Sequence, residues 1–254
     1  MLRHRLPSLL LILLSTWLPV PGAARGAGAE EPPLVLYYYE RPPFHFANEQ
    51  GQVVGSFVQA AEETLKRAKL SFTWVRLPAS RILSTLRSEK RPACSPGWYS
   101  TPERRFDFKY SKAMMLDKPL IALVRADFPV PDAVEARTFF FENPRMRLLL
   151  RQNFSQGAYL NALIARIPKS RLQSVTIELP QMIRMLQANR TDLIFSTEEE
   201  TGFFVRDAGF LMSDFRVVRF PDVPATEYRY MLCGQGVPAE TLRRIDRAIR
   251  LVKL

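Results

Sequence analysis

Cysteine and histidine are scarce: the 254 residues contain two of each. His4 sits in the first few residues, so His45 is the one imidazole of the remaining chain. One imidazole and two thiols do not make a closed zinc site, which takes four nitrogen or sulfur ligands. No nucleophile–base pair stands out either, so neither metal chemistry nor covalent catalysis is expected, and no cofactor is implied. Internal repeats, low-complexity tracts and a second long apolar segment are also missing. Lysine and arginine exceed aspartate and glutamate by 36 to 25, a formal charge of +11. These cations are scattered rather than clustered, which argues against a nucleic-acid surface. Attraction of acidic ligands is the functional reading of the charge, and a generally basic proteome is the plain one.

The start of the chain has a processing grammar. Arg3 and Arg5 are followed by an apolar stretch from Leu6 to Leu18, then Pro19, Pro21 and Gly22. Ala27-Gly28-Ala29 offers a small-x-small cleavage site, with Ala24 as a second candidate. This pattern predicts a secretory signal peptide over residues 1–29. The apolar stretch is shorter than the roughly 20 residues a spanning helix needs. Removal of Arg3, Arg5 and Arg25 lowers the charge from +11 to +8, since no acid precedes Glu30. In an oxidising compartment, the even pair Cys94 and Cys233 suggests a bridge.

From Leu34 on, strands and helices alternate. Leu34-Val35-Leu36-Tyr37-Tyr38-Tyr39 is a run of β-formers stopped by Pro42-Pro43 and predicts a buried strand. Phe57, Ala61, Leu65 and Ala68 fall at helical spacing. Strands are expected at Phe72–Val75, around Ala93 and Cys94, and at Leu120–Val124. A helix carrying Ile82, Leu83 and Leu86 is expected to be capped by Ser80. The pattern then restarts. Strands are predicted at Arg147–Leu150, Val175–Ile177, Leu193–Phe195, Phe215–Phe220 and Tyr228–Cys233. Helices are predicted from Ser155 to Ile167, from Pro180, and from Pro238. Two such series predict an α/β fold of two lobes with largely parallel sheets. Pro129 and Pro131 mark one crossing between lobes, Pro221 and Pro224 the other. The expected division is 30–127 with 223–254 for the first lobe and 128–222 for the second.

Local motifs add chemistry. Tyr99-Ser100-Thr101-Pro102-Glu103-Arg104 reads as a capped helix start: Thr101 as N-cap, Pro102 at the first position, Glu103 at the positive end. With Arg41-Pro42-Pro43-Phe44, Gly55, Phe106-Asp107-Phe108, Tyr110-Ser111, Gln152-Asn153-Phe154-Ser155-Gln156-Gly157 and Asn189-Arg190-Thr191-Asp192, the chain resembles the bacterial extracellular solute-binding proteins of family 3. These are the polar amino-acid binders of ABC importers, with a type II periplasmic binding protein architecture. The resemblance implies a periplasmic monomer that captures a small polar or anionic ligand and serves an ABC permease or a membrane sensor. It makes Arg104 the partner of a ligand carboxylate, where a planar fork gives paired bonds. Ser155 and Gln156 stand at the second lobe's ligand turn. Tyr39 and His45 follow the first strand at its carboxyl end. Arg81, Trp98 and Tyr99 are placed near the same cleft. Members of the family usually hold the ligand's ammonium with an acid; here that position is Thr197, with Glu198 beside it. The resemblance also implies that the strand returning from the second lobe lies antiparallel beside the third strand, so that Cys94 and Cys233 meet. An enzyme on the same fold is the alternative, with acid–base groups drawn from His45 and Glu40 or from Glu198 to Glu200.

Overall fold

Leu34, Val35, Leu36, Tyr37 and Tyr38 are all buried, although their side chains alternate between two faces. A strand without a polar face must be covered on both sides, and that requirement sets the first half of the fold. The computed structural model describes residues 31–224 and 227–253, and the signal peptide expected at 1–29 lies outside them. Pro32–Leu254 makes up a single compact unit that contains both sheets.

The first half runs β1 (Leu34–Tyr38), the two-residue pair β2 (Phe46–Ala47) and β3 (Val53–Val54), α1 (Ser56–Arg67), β4 (Phe72–Arg76), α2 (Ala79–Ser88), β5 (Ala93–Trp98), α3 (Pro102–Asp107) and β6 (Lys109–Asp117). The second half follows with β7 (Ile121–Arg125), α4 (Ala136–Glu142), β8 (Leu148–Arg151), α5 (Ala158–Ile164), β9 (Leu172–Val175), α6 (Leu179–Gln187), β10 (Leu193–Ser196), α7 (Glu198–Asp207) and β11 (Phe215–Val218). Then come β12 (Glu227–Cys233), α8 (Ala239–Ala248) and β13 (Val252–Lys253).

One sheet has the order β13-β6-β12-β5-β1-β4, the other β11-β7-β10-β8-β9. The first is built from both ends of the described chain, as the two predicted crossings require. Both sheets are mixed rather than largely parallel: β12 runs antiparallel to β5 and β6, and β7 antiparallel to β10 and β11. On the first sheet, Leu34 and Leu36 pack with Phe57, Ala61 and Leu65 of α1. Val35, Tyr37 and Tyr39 pack on the other face against Ile82, Leu83 and Leu86 of α2. The second sheet is likewise covered on both faces, by α4 and α5 on one side and α6 and α7 on the other.

Three sequence expectations shift here. Ile121–Arg125, assigned by sequence to the first lobe, pairs in the second sheet. The first crossing therefore lies at 118–120, ahead of Pro129 and Pro131. The reason is hydrophobic: four of these five residues are buried, and they complete the second core. The helix expected from Ser155 begins only at Ala158, with Gly157 as its N-cap. Ser155 instead closes the preceding turn, accepting from the Gly157 N–H and from Asn161 Nδ2. A third is smaller: α2 starts behind Pro78, and no side chain caps it, Ser80 included.

Cys94 and Cys233 face each other across the β5–β12 ladder and form a disulfide, with Cα atoms 4.0 Å apart. This is the pairing the resemblance implied.

Candidate functional site

Residues at or just beyond the carboxyl ends of β1, β5, β8 and β10 line one cavity at the seam between the sheets. Open α/β sheets bind ligands beyond strand carboxyl ends. The cavity there is lined from the first sheet's side by Arg41, Tyr99 and Arg229, and from the second sheet's side by Leu149, Arg151, Ser155, Gln156, Phe195 and Glu200, among others. Its volume is about 60 Å³. That is well below the several hundred Å³ usual for a ligand pocket, so admitting a solute requires the lobes to part.

An ion pair crosses the seam beside this cavity. Arg41 donates through Nε to Glu200 Oε2 at 2.6 Å and through a terminal nitrogen to Oε1 at 3.0 Å. Both side chains are under a tenth exposed. Each partner is aimed by its own backbone. The 41–45 turn closes on itself, with the Arg41 N–H donating to His45 O and the Phe44 and His45 N–H groups donating to Arg41 O. Glu200 is locked by a capping box at the start of α7: Thr197 Oγ1 accepts from the Glu200 N–H and Glu200 Oε1 accepts from the Thr197 N–H. A reciprocal box of this kind satisfies two otherwise orphaned donors.

A second network sits where the two crossings re-enter the first lobe. Asp117 ends β6 and Arg229 lies near the start of β12. The Arg229 guanidinium donates to Asp117 Oδ2, to Gly97 O and to Tyr99 Oη. Tyr99 Oη in turn donates to Asp117 Oδ2 at 2.9 Å. Burial, with the Asp117 carboxylate alongside, raises the Tyr99 pKa, so the phenol stays neutral.

His45 is structural. Its Nδ1 lies 2.5 Å from Tyr39 O, a contact that needs a proton on that nitrogen because a carbonyl only accepts. Burial, and next the Arg41 charge, push its pKa down to about 3. It is therefore neutral and shielded. Glu40 does not form an acid–base couple with it: Glu40 accepts from the Ala47 N–H and pairs with Arg76.

Aromatic side chains close the rest of the seam. Phe154, carried by the turn after β8, sits edge-on to Tyr39 at 5.7 Å and 6.2 Å from Trp98. The Arg151 guanidinium lies 4.2 Å above the Phe154 ring and 5.3 Å from Tyr39. Tyr39 and Trp98 belong to the first lobe's core, and Trp98 Nε1 donates to Ser95 Oγ.

Of the residues expected at the site, Tyr99, Ser155 and Gln156 line this cavity, and Tyr39, His45 and Trp98 stand behind it. Arg104 takes a different place. It donates to Tyr99 O at 3.2 Å and, across the seam, to Asn153 O at 2.5 Å, and lines a separate open cleft that it shares with Ser155. Its helix start is as expected, with Thr101 Oγ1 accepting from the Arg104 N–H. Arg81 is exposed on α2 and does not line the cavity. Thr197 is fully buried and positions Glu200 through the capping box. Sequence reasoning had missed Arg151 and Arg229, and had named Arg41 only within a motif. The Thr-x-x-Glu box over 197–200 was the available signal for Glu200.

Residues 34–171 match the family model of the bacterial extracellular solute-binding proteins, family 3. No curated protein matches the chain by sequence. Among solved structures, the arginine-, lysine-, histidine-binding protein ArtJ from Geobacillus stearothermophilus is 17% identical, with a TM-score of 0.66 over 85% of this chain and 87% of that chain. A histidine kinase sensor domain with similarity to periplasmic binding proteins is 17% identical, with a TM-score of 0.68 over 86% and 89%. The substrate-binding protein of an amino acid ABC transporter is 15% identical, with a TM-score of 0.64 over 85% and 90%. At these identities the structures establish a shared two-lobe fold. The family model spans more than half of the sequence, and the chain belongs to the bacterial extracellular solute-binding proteins of family 3.

Proposed function

We propose that this protein captures a small polar or anionic solute of amino-acid size between its two lobes, without chemistry, and delivers it to an ABC permease. The observation that carries this reading is the cavity at the meeting strand ends, lined from both sheets by paired charges and apolar side chains. Lobes that part and close about a few connecting segments are the established device for such capture. Two crossings, between β6 and β7 and between β11 and β12, join the sheets here. The signal peptide read from the sequence and the extracellular family support a periplasmic location. Several neighbours in fold are named for binding amino acids, which supports an amino-acid-like ligand. Binding without turnover fits a site whose histidine is buried and neutral.

A sensor role is the second reading, and the fold shared with a histidine kinase sensor domain favours it. Both readings place the solute in the same cavity. The test is a thermal-shift screen of the purified protein against amino acids, small acids, short peptides and neutral and cationic solutes. A ligand at 100 times its Kd stabilises a binding protein by about 2.7 kcal/mol. A wholly silent screen contradicts solute binding, and a solute consumed on incubation contradicts binding without chemistry.

A further inference from the structure

The cavity's chemistry is uneven. Its second-lobe wall carries an apolar patch of Leu149, Leu179, Met182, Phe195 and Phe204 beside the polar Ser155, Gln156 and Ser196. Its charged lining is three arginines against one carboxylate: Arg41, Arg151 and Arg229 against Glu200. With the lobes closed, two of the arginines are committed. Arg229 is fixed by Asp117, Gly97 O and Tyr99 inside the first lobe, and Arg41 by the two-point pair with Glu200.

Arg151 differs. Its side chain is only 13% exposed, while its partner Glu178 is 48% exposed on the outside of the site. Water can take over that carboxylate at little cost, because half-exposed ion pairs are weak. The guanidinium lies over the Phe154 ring and beside Tyr39 and carries five donors in a fixed fork, of which the Glu178 contact engages one terminal nitrogen.

With the lobes closed, the acid side is largely taken up. Glu200 is the sole carboxylate among the described residues of the lining. Its oxygens take both Arg41 donors and the Thr197 N–H. A ligand ammonium enclosed by the re-formed Arg41–Glu200 pair meets three arginines and, among the described lining residues, no uncommitted carboxylate. Burial of an unpaired charge carries a large desolvation cost.

We propose that the site selects organic anions with an apolar body and no ammonium group, anchored by Arg151, over the corresponding zwitterionic amino acids. This inference rests on the reading of the cavity as the solute site and narrows it.

Calorimetric titration of the purified protein with matched probe pairs tests it: 4-methylpentanoate against L-leucine, and 3-phenylpropionate against L-phenylalanine. The deaminated acid of a pair is expected to bind at least about tenfold more tightly. Arg151→Gln should weaken it by about tenfold to a hundredfold, the range of a hydrogen bond to a charged group. Arg151→Lys, which keeps the charge and loses the fork, should fall between, and it serves if the glutamine variant does not fold. In Glu200→Gln, which retains an acceptor for the capping box, the preference for the deaminated acid over its amino acid should persist. Equal or tighter binding of the amino acids, above all if lost in Glu200→Gln, overturns the proposal and assigns Glu200 to an ammonium. Silence with all four probes also overturns it, while solute binding itself falls only if the wider screen is silent too.

Discussion

Arg41 and Glu200 are 159 residues apart and meet only because the two lobes do. Buried pairs carry opposing terms: the attraction is strong, yet both ions have left water. Removing one partner strands the other and costs about 3–5 kcal/mol, whereas replacing both with well-packed apolar residues is often neutral. Glu200→Ala should therefore destabilise the protein by about that amount, and Arg41→Met with Glu200→Leu by much less, as read from chemical denaturation. Equal losses in the two variants would contradict a desolvated pair. His45 adds a pH dependence of fixed sign. Its folded pKa of about 3 lies below its ordinary 6.5, so the unfolded chain binds the proton more readily. The stabilisation from neutral His45 is full above 6.5 and is lost as the pH falls toward 3. The loss by pH 5 is about 2 kcal/mol. His45→Asn keeps a donor for Tyr39 O and should flatten that acid limb, and an unchanged limb would contradict the assignment. None of this was legible from His45 alone, because the burial that moves its pKa comes from Phe57, Tyr39 and Arg41, supplied by the fold.

Among the elements, what could be read from sequence was what local chemistry dictates. The continuous apolar strands β1, β7 and β10, the amphipathic helix α1 and the Thr101 cap are all present. Gly55 was legible as a helix entry, and the reason is now visible. Its φ is 124°, and a Cβ there would lie 2.3 Å from Phe44 O. Gly55→Ala should therefore destabilise the junction of the 41–45 turn with α1. Strand β6 escaped notice because Lys109, Tyr110, Ser111 and Lys112 break any hydrophobic alternation. Helix α7 was hidden by its three glutamates and Gly202. The Cys94–Cys233 bridge ties β12, which returns from the second lobe, to the centre of the first lobe's sheet across a separation of 139 residues. Reduction should lower stability by about 2–4 kcal/mol, measured as a shift of the denaturation midpoint with and without reductant. Recovery of two alkylated thiols from unreduced, unfolded protein would exclude the bridge.

At the scale of the whole molecule, strand–helix alternation foretold two lobes and two crossings, but the site lies where they touch, and no local pattern reports that contact. Arg104 shows the difference. Its motif was readable, its helix cap formed, and yet its guanidinium bridges carbonyl groups on the seam, while Arg151 and Arg41 face the cavity. Arg104→Ala is thus expected to weaken ligand binding less than Arg151→Gln does, because it loosens closure without removing the anchor. A solute that binds between lobes that part to admit it and close over it makes the molecule more compact. Small-angle scattering of the purified protein, titrated with a solute found by thermal shift, measures this directly. One solute per chain is expected, recovered unchanged, with a decrease in radius of gyration between the unliganded and saturated protein that Glu200→Ala alters. A saturating solute that leaves the scattering curve unchanged in both proteins would contradict it.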